Sequence, residues 1–307
     1  MSACAGAGEA ESLPVKFGFR HNDVVVFTGG ANVVAAQENA YLETILTLSL
    51  PTQRIRFRNM GWEGDTVFEQ RRDLNFGPWS QQFDRIGATV IFAQFGQMES
   101  LQGKDSLDEF IRAYDRLLDE FARRTGRIVL VSPAPFENAR ASMPDLSQHN
   151  IELRQFVEAI RTMALRRGYP FLDLFTPFEA RLRKDRPMSS DGLSLNAYGH
   201  WIIAREIARQ LGFDQVGKDL SFDVATSVLS PGSAEHLRQL ILTKNRYWFN
   251  YWRPMNWAFL HGDRTEQPSS RDHRDPNIRW FPVELEKFTP LIEKSEQEIA
   301  TQANRRE

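Results

Sequence analysis

The chain has 307 residues, of which 41% are hydrophobic and 25% are charged, and its formal net charge is −2. This is the balance of a folded protein with an ample core, and a charge near zero gives no reason to expect a nucleic acid as partner. The chain has no run of about 18 apolar residues, so we expect no helix that spans a membrane.

The first residues carry no recognisable targeting signal. Residues 1–12 are small and polar, and they lack the basic start and apolar stretch of a signal peptide. Cys4 is the single cysteine, so no internal disulfide is expected, but one cysteine does not identify a compartment. We expect a flexible tail over residues 1–20. By default we also expect a cytoplasmic protein, or an exported one if the true start lies upstream.

Apolar runs of strand length then alternate with helical patterns. Strands are predicted over Val24–Thr28, Arg54–Asn59, Ala88–Phe95, Arg127–Ser132 and Phe171–Leu174. The helical patterns between and after them cover Gln37–Ser49, Asp105–Arg124, Leu146–Arg167 and Ala197–Leu211. Such alternation predicts βαβ units and a parallel sheet that is covered on both faces. We therefore predict an α/β fold, a three-layer α/β/α sandwich of flavodoxin-like type with about five parallel strands.

The pattern changes after about residue 213. Helices are predicted over Leu229–Thr243 and Phe281–Ala300, whereas Tyr247–Arg274 is rich in Trp, Asn, Arg, Asp and His and has no clean period. This part is too aromatic to be disordered. We expect a domain over residues 21–213 and a C-terminal extension, 214–307, that packs on it and either wraps the core or covers one end of the sheet.

The extension contains a group of residues that could suggest a metal site. His261 and His273 lie among several aspartates, but only Asp272, His273 and Asp275 are closely spaced, and arginines are interleaved with them. An ordered loop held by ion pairs is the commoner explanation of such a pattern. We expect no metal and no cofactor.

Sites in parallel sheets form at the carboxyl ends of the strands. The loops to inspect are therefore Gly29–Asn32, Gly61–Thr66, Gly96–Gly103 and Ser189–Asn196. They contain four blocks, in order Phe27-Thr28-Gly29-Gly30-Ala31, Asn59-Met60-Gly61-Trp62-Glu63-Gly64-Asp65-Thr66, Phe95-Gly96-Gln97-Met98-Glu99 and Asp191-Gly192-Leu193-Ser194-Leu195-Asn196. In this order the blocks resemble those of the SGNH hydrolases, also called the GDSL family, over roughly residues 22 to 212. The second block is the most specific match.

The resemblance implies an acyl-transfer site whose chemical groups are largely replaced. In the family a serine is the nucleophile, a histidine is the base, and an aspartate orients the base. The corresponding positions hold Ala31, Ser194 and Asp191, and Met98 stands at the position of the asparagine that donates to the oxyanion. Gly64 stands at the position of the family's glycine, whose backbone N–H also donates a hydrogen bond to the oxyanion. Without a nucleophile, a base and a side-chain donor, ester hydrolysis by the family mechanism is not expected.

Our leading hypothesis is therefore a degenerate SGNH hydrolase, a pseudoenzyme, that keeps a ligand-binding cleft at the strand ends. Its ligand would be a small molecule, such as an acylated carbohydrate, or a partner protein. Trp62 could stack on a sugar ring, and Asp65 could bind a ligand hydroxyl. The residues predicted to bind are Gly30, Trp62, Gly64, Asp65, Gln97 and Asp191.

Two alternatives stay open. The first is an active ester hydrolase with relocated groups, in which His200 acts as a displaced base, Glu99 and Asp191 form a carboxylate pair, or Thr28 or Ser194 substitutes as nucleophile. The second is a structural or interaction module that uses the aromatic extension as its contact surface. The segments Trp252–Trp257 and Gly262–Gln267 resemble extensions in a bacterial subgroup of the family, which supports membership but supplies no reaction. The sequence does not predict the oligomeric state.

Overall fold

A parallel sheet forms the centre of the protein. The computed structural model describes residues 17–138, 143–182 and 186–305, so most of the expected N-terminal tail lies outside the described residues. The strands of the sheet are β1 (Val24–Gly29), β2 (Arg56–Asn59), β3 (Val90–Gln94), β4 (Ile128–Val131) and β5 (Phe171–Leu172). All neighbouring pairs are parallel, in the order β2-β1-β3-β4-β5. The predicted α/β/α sandwich with about five parallel strands is confirmed.

Helices connect the strands and continue beyond the sheet. Those in the first part of the chain are α1 (Ala31–Asn39), α2 (Tyr41–Ser49), α3 (Trp79–Ile86), α4 (Gln97–Ser100), α5 (Leu107–Ala122), α6 (Asn150–Arg167), α7 (Phe175–Glu179) and α8 (Ala197–Gln210). They are followed by α9 (Asp214–Asp219) and an antiparallel hairpin of β6 (Ser221–Asp223) and β7 (Val228–Ser230). The remaining helices are α10 (Gly232–Trp252), α11 (Trp257–Leu260), α12 (Trp280–Glu286) and α13 (Phe288–Ala303).

The two faces of the sheet are buried in separate apolar clusters. Side chains alternate between the faces of a strand, so Val26 packs with residues of α3, α5 and α6, whereas Val25 packs with residues of α2 and α8. Helix α5 buries the stripe that its sequence predicts, consisting of Phe110, Tyr114, Leu117, Leu118 and Phe121. Full burial of such a side chain contributes roughly 1.5–3 kcal/mol.

Three predicted helices differ from the observed ones. Ala40 adopts a left-handed backbone (φ 57°), so the predicted helix Gln37–Ser49 is two helices, and the first of them begins earlier, directly after the β1 turn. Leu229 is not helical because it pairs with Phe222 in the hairpin. The predicted helix Phe281–Ala300 is divided at Lys287. Each difference occurs at a helix end or break, where local periodicity carries little information.

Helix α10 covers the edge strand β2. The indole of Trp248 donates a hydrogen bond to the Asn59 carbonyl (2.7 Å), and the buried Lys244 ammonium donates to the Phe57 carbonyl (3.2 Å). The same ammonium lies 2.6 Å from the Glu43 carboxylate on α2. These contacts protect a sheet edge that would otherwise expose unpaired backbone groups. Within the described part of the chain, no helix is long and apolar enough to cross a membrane.

Candidate functional site

A cavity of about 380 Å³ opens at the carboxyl end of the sheet. The exposed residues at its mouth include Ala31, Gly64, Met98 and Ser194. Ala31 begins α1 directly after β1, Gly64 lies in the loop after β2, Met98 lies in α4 after β3, and Ser194 lies in the loop before α8. The fold therefore brings together the four sequence blocks at one edge of the sheet, as expected for a parallel sheet.

The turn after β1 requires glycine at Gly29. Its φ is +151°, and a Cβ there would lie 2.4 Å from the Gln94 carbonyl oxygen and 2.7 Å from a methyl carbon of Val33. Gly30 then precedes the first residue of α1, which is Ala31. The backbone thus keeps a tight strand-to-helix turn that presents residue 31 at the mouth. The side chain presented there is a methyl group, which can neither attack a carbonyl carbon nor exchange a proton.

The Asn32 side chain ties this turn to two other loops. Its amide nitrogen donates to the Gln97 side-chain oxygen and to the Leu193 carbonyl, both at 3.0 Å. Its oxygen accepts from the Leu195 N–H at 2.9 Å. Leu193 and Leu195 flank Ser194, so Asn32 holds Ser194 on the loop next to Ala31. Sequence reasoning missed this role because the partners lie up to 163 residues apart in the chain.

The Glu99 carboxylate binds backbone rather than a second acid. One oxygen accepts from the Val67 N–H (2.8 Å) and the other from the Gly96 N–H (2.9 Å). Burial raises the pKa of Glu99 despite these two bonds. Glu99 therefore links the loop after β2 to the loop after β3.

Asp191 is also used by its own loop. One of its carboxylate oxygens accepts from the N–H groups of Leu193 (2.9 Å) and Ser194 (2.6 Å). Burial opposes ionisation, but these backbone bonds outweigh it and lower the pKa of Asp191. Asp191, which the resemblance matches to the acid that orients the base, here orders the turn that carries Ser194.

Trp62 lies beside the cavity and is not among the residues that line it. The guanidinium carbon of Arg253 is 3.9 Å from the centre of the Trp62 rings, and that of Arg72 is 4.5 Å from it. Arg72 also forms a bidentate ion pair with Asp65, with both N···O distances 2.7 Å. Burial raises the pKa of Asp65 in spite of this pair. A sugar that stacked on Trp62 would have to replace one of these cation–π contacts.

His200 and Gln37 are buried residues of the cavity lining, and each carries a polar atom without a partner in the described part of the chain. His200 is 6% exposed and Gln37 is 8% exposed, and both line the cavity. Among the described residues, neither the His200 Nε2 atom nor the Gln37 Oε1 atom has a hydrogen-bond partner. Burial lowers the pKa of His200 to about 4, so its imidazole is neutral at pH 7. The Thr28 hydroxyl, also in the cavity lining, donates instead to the Phe92 carbonyl (3.2 Å).

The described residues contain no group of three or more His, Cys, Asp or Glu side chains that could hold a metal ion. In the extension, Arg271 pairs with Glu266, while the His273 ring lies 3.8 Å from the Asp272 carboxylate. The Arg271–Glu266 ion pair is therefore one contact that holds this loop.

The sequence matches a known family over most of the sheet domain. A sequence model of the GDSL-like lipase/acylhydrolase family matches residues 27–202, which is more than half of the chain. The chain belongs to this family. Among curated proteins, none matches the chain in sequence.

Solved structures of similar fold include several enzymes. A gut microbial diltiazem-metabolizing enzyme is 13% identical, with a TM-score of 0.58 over 94% of this chain and 95% of that chain. A catalytic mutant of an acetylxylan esterase from Geobacillus stearothermophilus is 18% identical, with a TM-score of 0.51 over 63% of this chain and 96% of that one. An alpha/beta hydrolase from the metagenome of Lake Arreo, Spain, is 17% identical, with a TM-score of 0.50 over 64% and 98%. At these identities the similarity shows a shared fold.

The positions that the resemblance matches to the family's reacting groups thus lie around one cavity. Ala31, Met98 and Ser194 all line it, as do Gly30 and Gln97. Asp191 lies behind it, bonded to the loop that carries Ser194. At Ala31, Met98 and Ser194 the cavity is lined by a methyl group, a thioether and a hydroxyl group.

Proposed function

We propose that this GDSL-like protein lacks the ester-cleaving chemistry of its family, as a pseudoenzyme, and uses the retained cavity to bind a ligand. One observation carries the proposal. The cavity mouth brings together Ala31, Met98 and Ser194, at the positions where the resemblance places serine, asparagine and histidine. A methyl group and a thioether cannot act as nucleophile or hydrogen-bond donor, and a serine hydroxyl is not a base at neutral pH.

The size of the loss supports this proposal. In a serine protease without its triad, about a thousand- to ten-thousand-fold rate enhancement over water remains. Loss of one side-chain donor to the oxyanion costs about a further hundred- to thousand-fold. These effects are not additive, but here all three side chains are absent. Binding remains available to such a site because it requires only shape and hydrogen-bonding groups.

The chemistry of the mouth supports a small organic ligand with polar groups. Gln97 is a half-buried polar residue of the cavity lining, and the lining also includes the exposed backbone of Gly64. The acetylxylan esterase among the proteins of similar fold makes an acylated carbohydrate a reasonable first candidate. We further propose that residues 214–307 form an extension on the domain of residues 21–213, supported by the contacts of α10 with β2.

A second candidate is an active hydrolase with relocated groups. His200 favours this alternative, because it belongs to the lining of the same cavity and its buried Nε2 atom has no partner among the described residues. However, the Thr28 hydroxyl donates to a backbone carbonyl, and a histidine with a pKa of about 4 is a weak base at pH 7. The degenerate site therefore remains the better-supported proposal.

The deciding experiment compares hydrolysis of 4-nitrophenyl acetate by the native chain and by the triple variant Ala31→Ser, Met98→Asn, Ser194→His. All three residues are exposed, so the fold should tolerate the changes. We expect the native chain to be inactive and the triple variant to gain activity. Ala31→Ser alone is the matched control, since it supplies a nucleophile without a base and should stay inactive.

Hydrolysis by the native chain that His200→Ala abolishes would contradict the proposal and establish the relocated site. Binding is measured separately by isothermal titration with acetylated and unmodified xylobiose. A heat signal from the acetylated sugar alone would support an acylated carbohydrate as the ligand. An inactive native chain that binds neither sugar would leave the loss of chemistry in place and exclude this ligand class.

A further inference from the structure

A second cavity, of about 680 Å³, lies at the amino end of β2, and we call it the amino-end groove. Its lining comes mainly from α2, from the segment between α2 and β2, and from α13. The exposed residues of this lining include Asn22, before β1, and Arg54 and Arg56, at the start of β2. The groove shares Glu43 and Phe57 with the lining of the first cavity, but none of the residues named at the mouth of that cavity. It is therefore a distinct candidate site.

Part of the groove is apolar surface that remains accessible. The half-buried apolar residues of the lining are Leu50, Pro51, Ile55, Ala300 and Ala303. The first three precede β2 and the last two belong to α13, so two separate elements contribute this surface. Removal of such surface from water by an apolar ligand is favourable. The groove therefore suits a ligand that has an apolar part.

Two arginines of the lining are available to a ligand. Among the described residues, the side chains of Arg54 and Arg56 form no hydrogen bond and no ion pair. Both residues are exposed, so a ligand can reach their guanidinium groups. Arg305 is a third exposed cation of the lining, and its guanidinium donates to the Gln302 side-chain oxygen over 3.5 Å. These cations give the groove a positively charged rim.

Two of the carboxylates in the lining are already neutralised. The Glu43 carboxylate lies 2.6 Å from the Lys244 ammonium, and the Glu296 carboxylate lies 2.6 Å from the Arg58 guanidinium. Glu293 also lines the groove, and it has no ion-pair partner among the described residues. The described lining thus has three cations and one acid that are not paired with an opposite charge. This positive excess favours an anion.

The volume and the two kinds of surface together restrict the ligand. Sites for small organic molecules have volumes of roughly 300–1,000 Å³, and about 680 Å³ lies within this range. Inorganic phosphate would use the arginines but would leave the apolar residues in water, whereas a neutral hydrocarbon would not use the arginines. We propose that the amino-end groove binds a single-chain carboxylate amphiphile, such as a fatty acid. Its carboxylate contacts Arg54 and Arg56, and its chain lies along the apolar residues of α13 and of the segment before β2.

The test measures the affinity of the full chain for decanoate, 1-decanol, decyltrimethylammonium and acetate by isothermal titration. The first three probes have the same alkyl chain and differ in charge, whereas acetate has the carboxylate without the chain. We expect decanoate to bind about ten-fold more tightly than 1-decanol, because two exposed ion pairs together allow about this gain. Decyltrimethylammonium should bind more weakly than 1-decanol, because the arginines repel it. Acetate should not bind measurably, because it has only one methyl group to bury.

Two double variants test the role of the arginines. Arg54→Gln with Arg56→Gln should reduce the affinity for decanoate to that for 1-decanol. Arg112→Gln with Arg116→Gln is the matched control, since it removes the same charge from two exposed arginines of α5 and should leave the preference for decanoate intact.

Two further variants locate the chain of the ligand. Ala300→Phe, within the lining of the groove, should weaken decanoate and 1-decanol alike by more than about ten-fold, because the ring occupies the space. Ala31→Trp, at the mouth of the first cavity, should leave the affinity for decanoate unchanged. If Ala300→Phe does not fold, the comparison of the two arginine double variants still decides.

Absence of decanoate binding would overturn the inference, as would equal affinities for decanoate and 1-decanol or a preference that survives the loss of Arg54 and Arg56. Loss of decanoate binding in Ala31→Trp would also overturn it, because the ligand would then occupy the first cavity. A dimer in sedimentation that binds no probe, and that the loss of Arg54 and Arg56 dissociates, would assign the groove to a second copy of the chain. Ester hydrolysis by the native chain would refute the proposed function alone, since this inference does not rest on it.

Discussion

Acid should destabilise the protein through His200 in a predictable pH range. The folded chain protonates this imidazole only near pH 4, because burial lowers its pKa, whereas the unfolded chain protonates it at about 6.5. Between these values the unfolded state binds more protons, so stability decreases as the pH falls from 6.5 to 4. The difference of about 2.5 pKa units corresponds to roughly 3 kcal/mol. The part of the free energy of unfolding that depends on a neutral His200 is fully present above pH 6.5.

The assay is urea unfolding, followed by tryptophan fluorescence, at pH values from 7.5 to 4. Between pH 7.5 and pH 4 the free energy of unfolding of the native protein should decrease by about 3 kcal/mol more than that of His200→Leu, because the variant has no ionisable group at position 200. Other ionisable groups contribute equally to both curves and cancel in the difference. His273→Gln, at an exposed side chain, serves as control and should follow the native curve. If the free energy of unfolding changes with pH in the same way for native protein and His200→Leu, burial does not lower the pKa of His200 and the reasoning is refuted.

Three further changes test the frame of the site. Lys244→Met should cost about 3–5 kcal/mol in urea unfolding, because it leaves the Glu43 carboxylate buried without its partner. Asn32→Ala should raise amide hydrogen exchange at Leu195 by about ten-fold, since the side chain that accepts from this N–H is lost. Gly29→Ala should prevent folding or cost at least about 3 kcal/mol, measured by thermal unfolding, because of its φ and the backbone contact.

Each of these changes has a control. Lys294→Met, at an exposed lysine, should leave stability within about 0.5 kcal/mol of native. Adding Glu43→Leu to Lys244→Met should recover part of the loss, because burial raises the pKa of Glu43 and lowers the pKa of Lys244. Asn32→Asp keeps the acceptor and should leave exchange at Leu195 close to native. A fully stable Gly29→Ala protein would show that the turn after β1 has room for a Cβ atom at position 29.

Most of the sheet domain could be predicted from local pattern. The runs around Val25, Phe92 and Val129 are apolar because both faces of their strands are buried, and the glycine at position 168 ends its helix in the left-handed conformation. Where the prediction was wrong, as at Ala40 and Leu229, the cause is a turn or a strand pairing. Such features depend on neighbours distant in sequence rather than on periodicity.

The candidate site could be predicted only in part. Order and spacing of the loops predicted that residues 31, 98 and 194 would meet, and all three line the mouth. Sequence did not indicate that Arg72 and Arg253 cover Trp62. The second of these arginines comes from the far end of α10, and nothing local relates it to residue 62.

The sequence alone determined the fold class and predicted which residues stand at the family's reacting positions, because strand–helix alternation and residue identity are local properties. Only the tertiary structure decided that Asn32 ties three loops together, that His200 is buried and neutral, and that one cavity with many apolar lining residues opens at the carboxyl end of the sheet. Burial, pKa and cavity shape depend on which surfaces come together when the chain folds. Such surfaces can come from distant parts of the chain, as for Asn32 and Leu193, which are 161 residues apart and joined by a hydrogen bond.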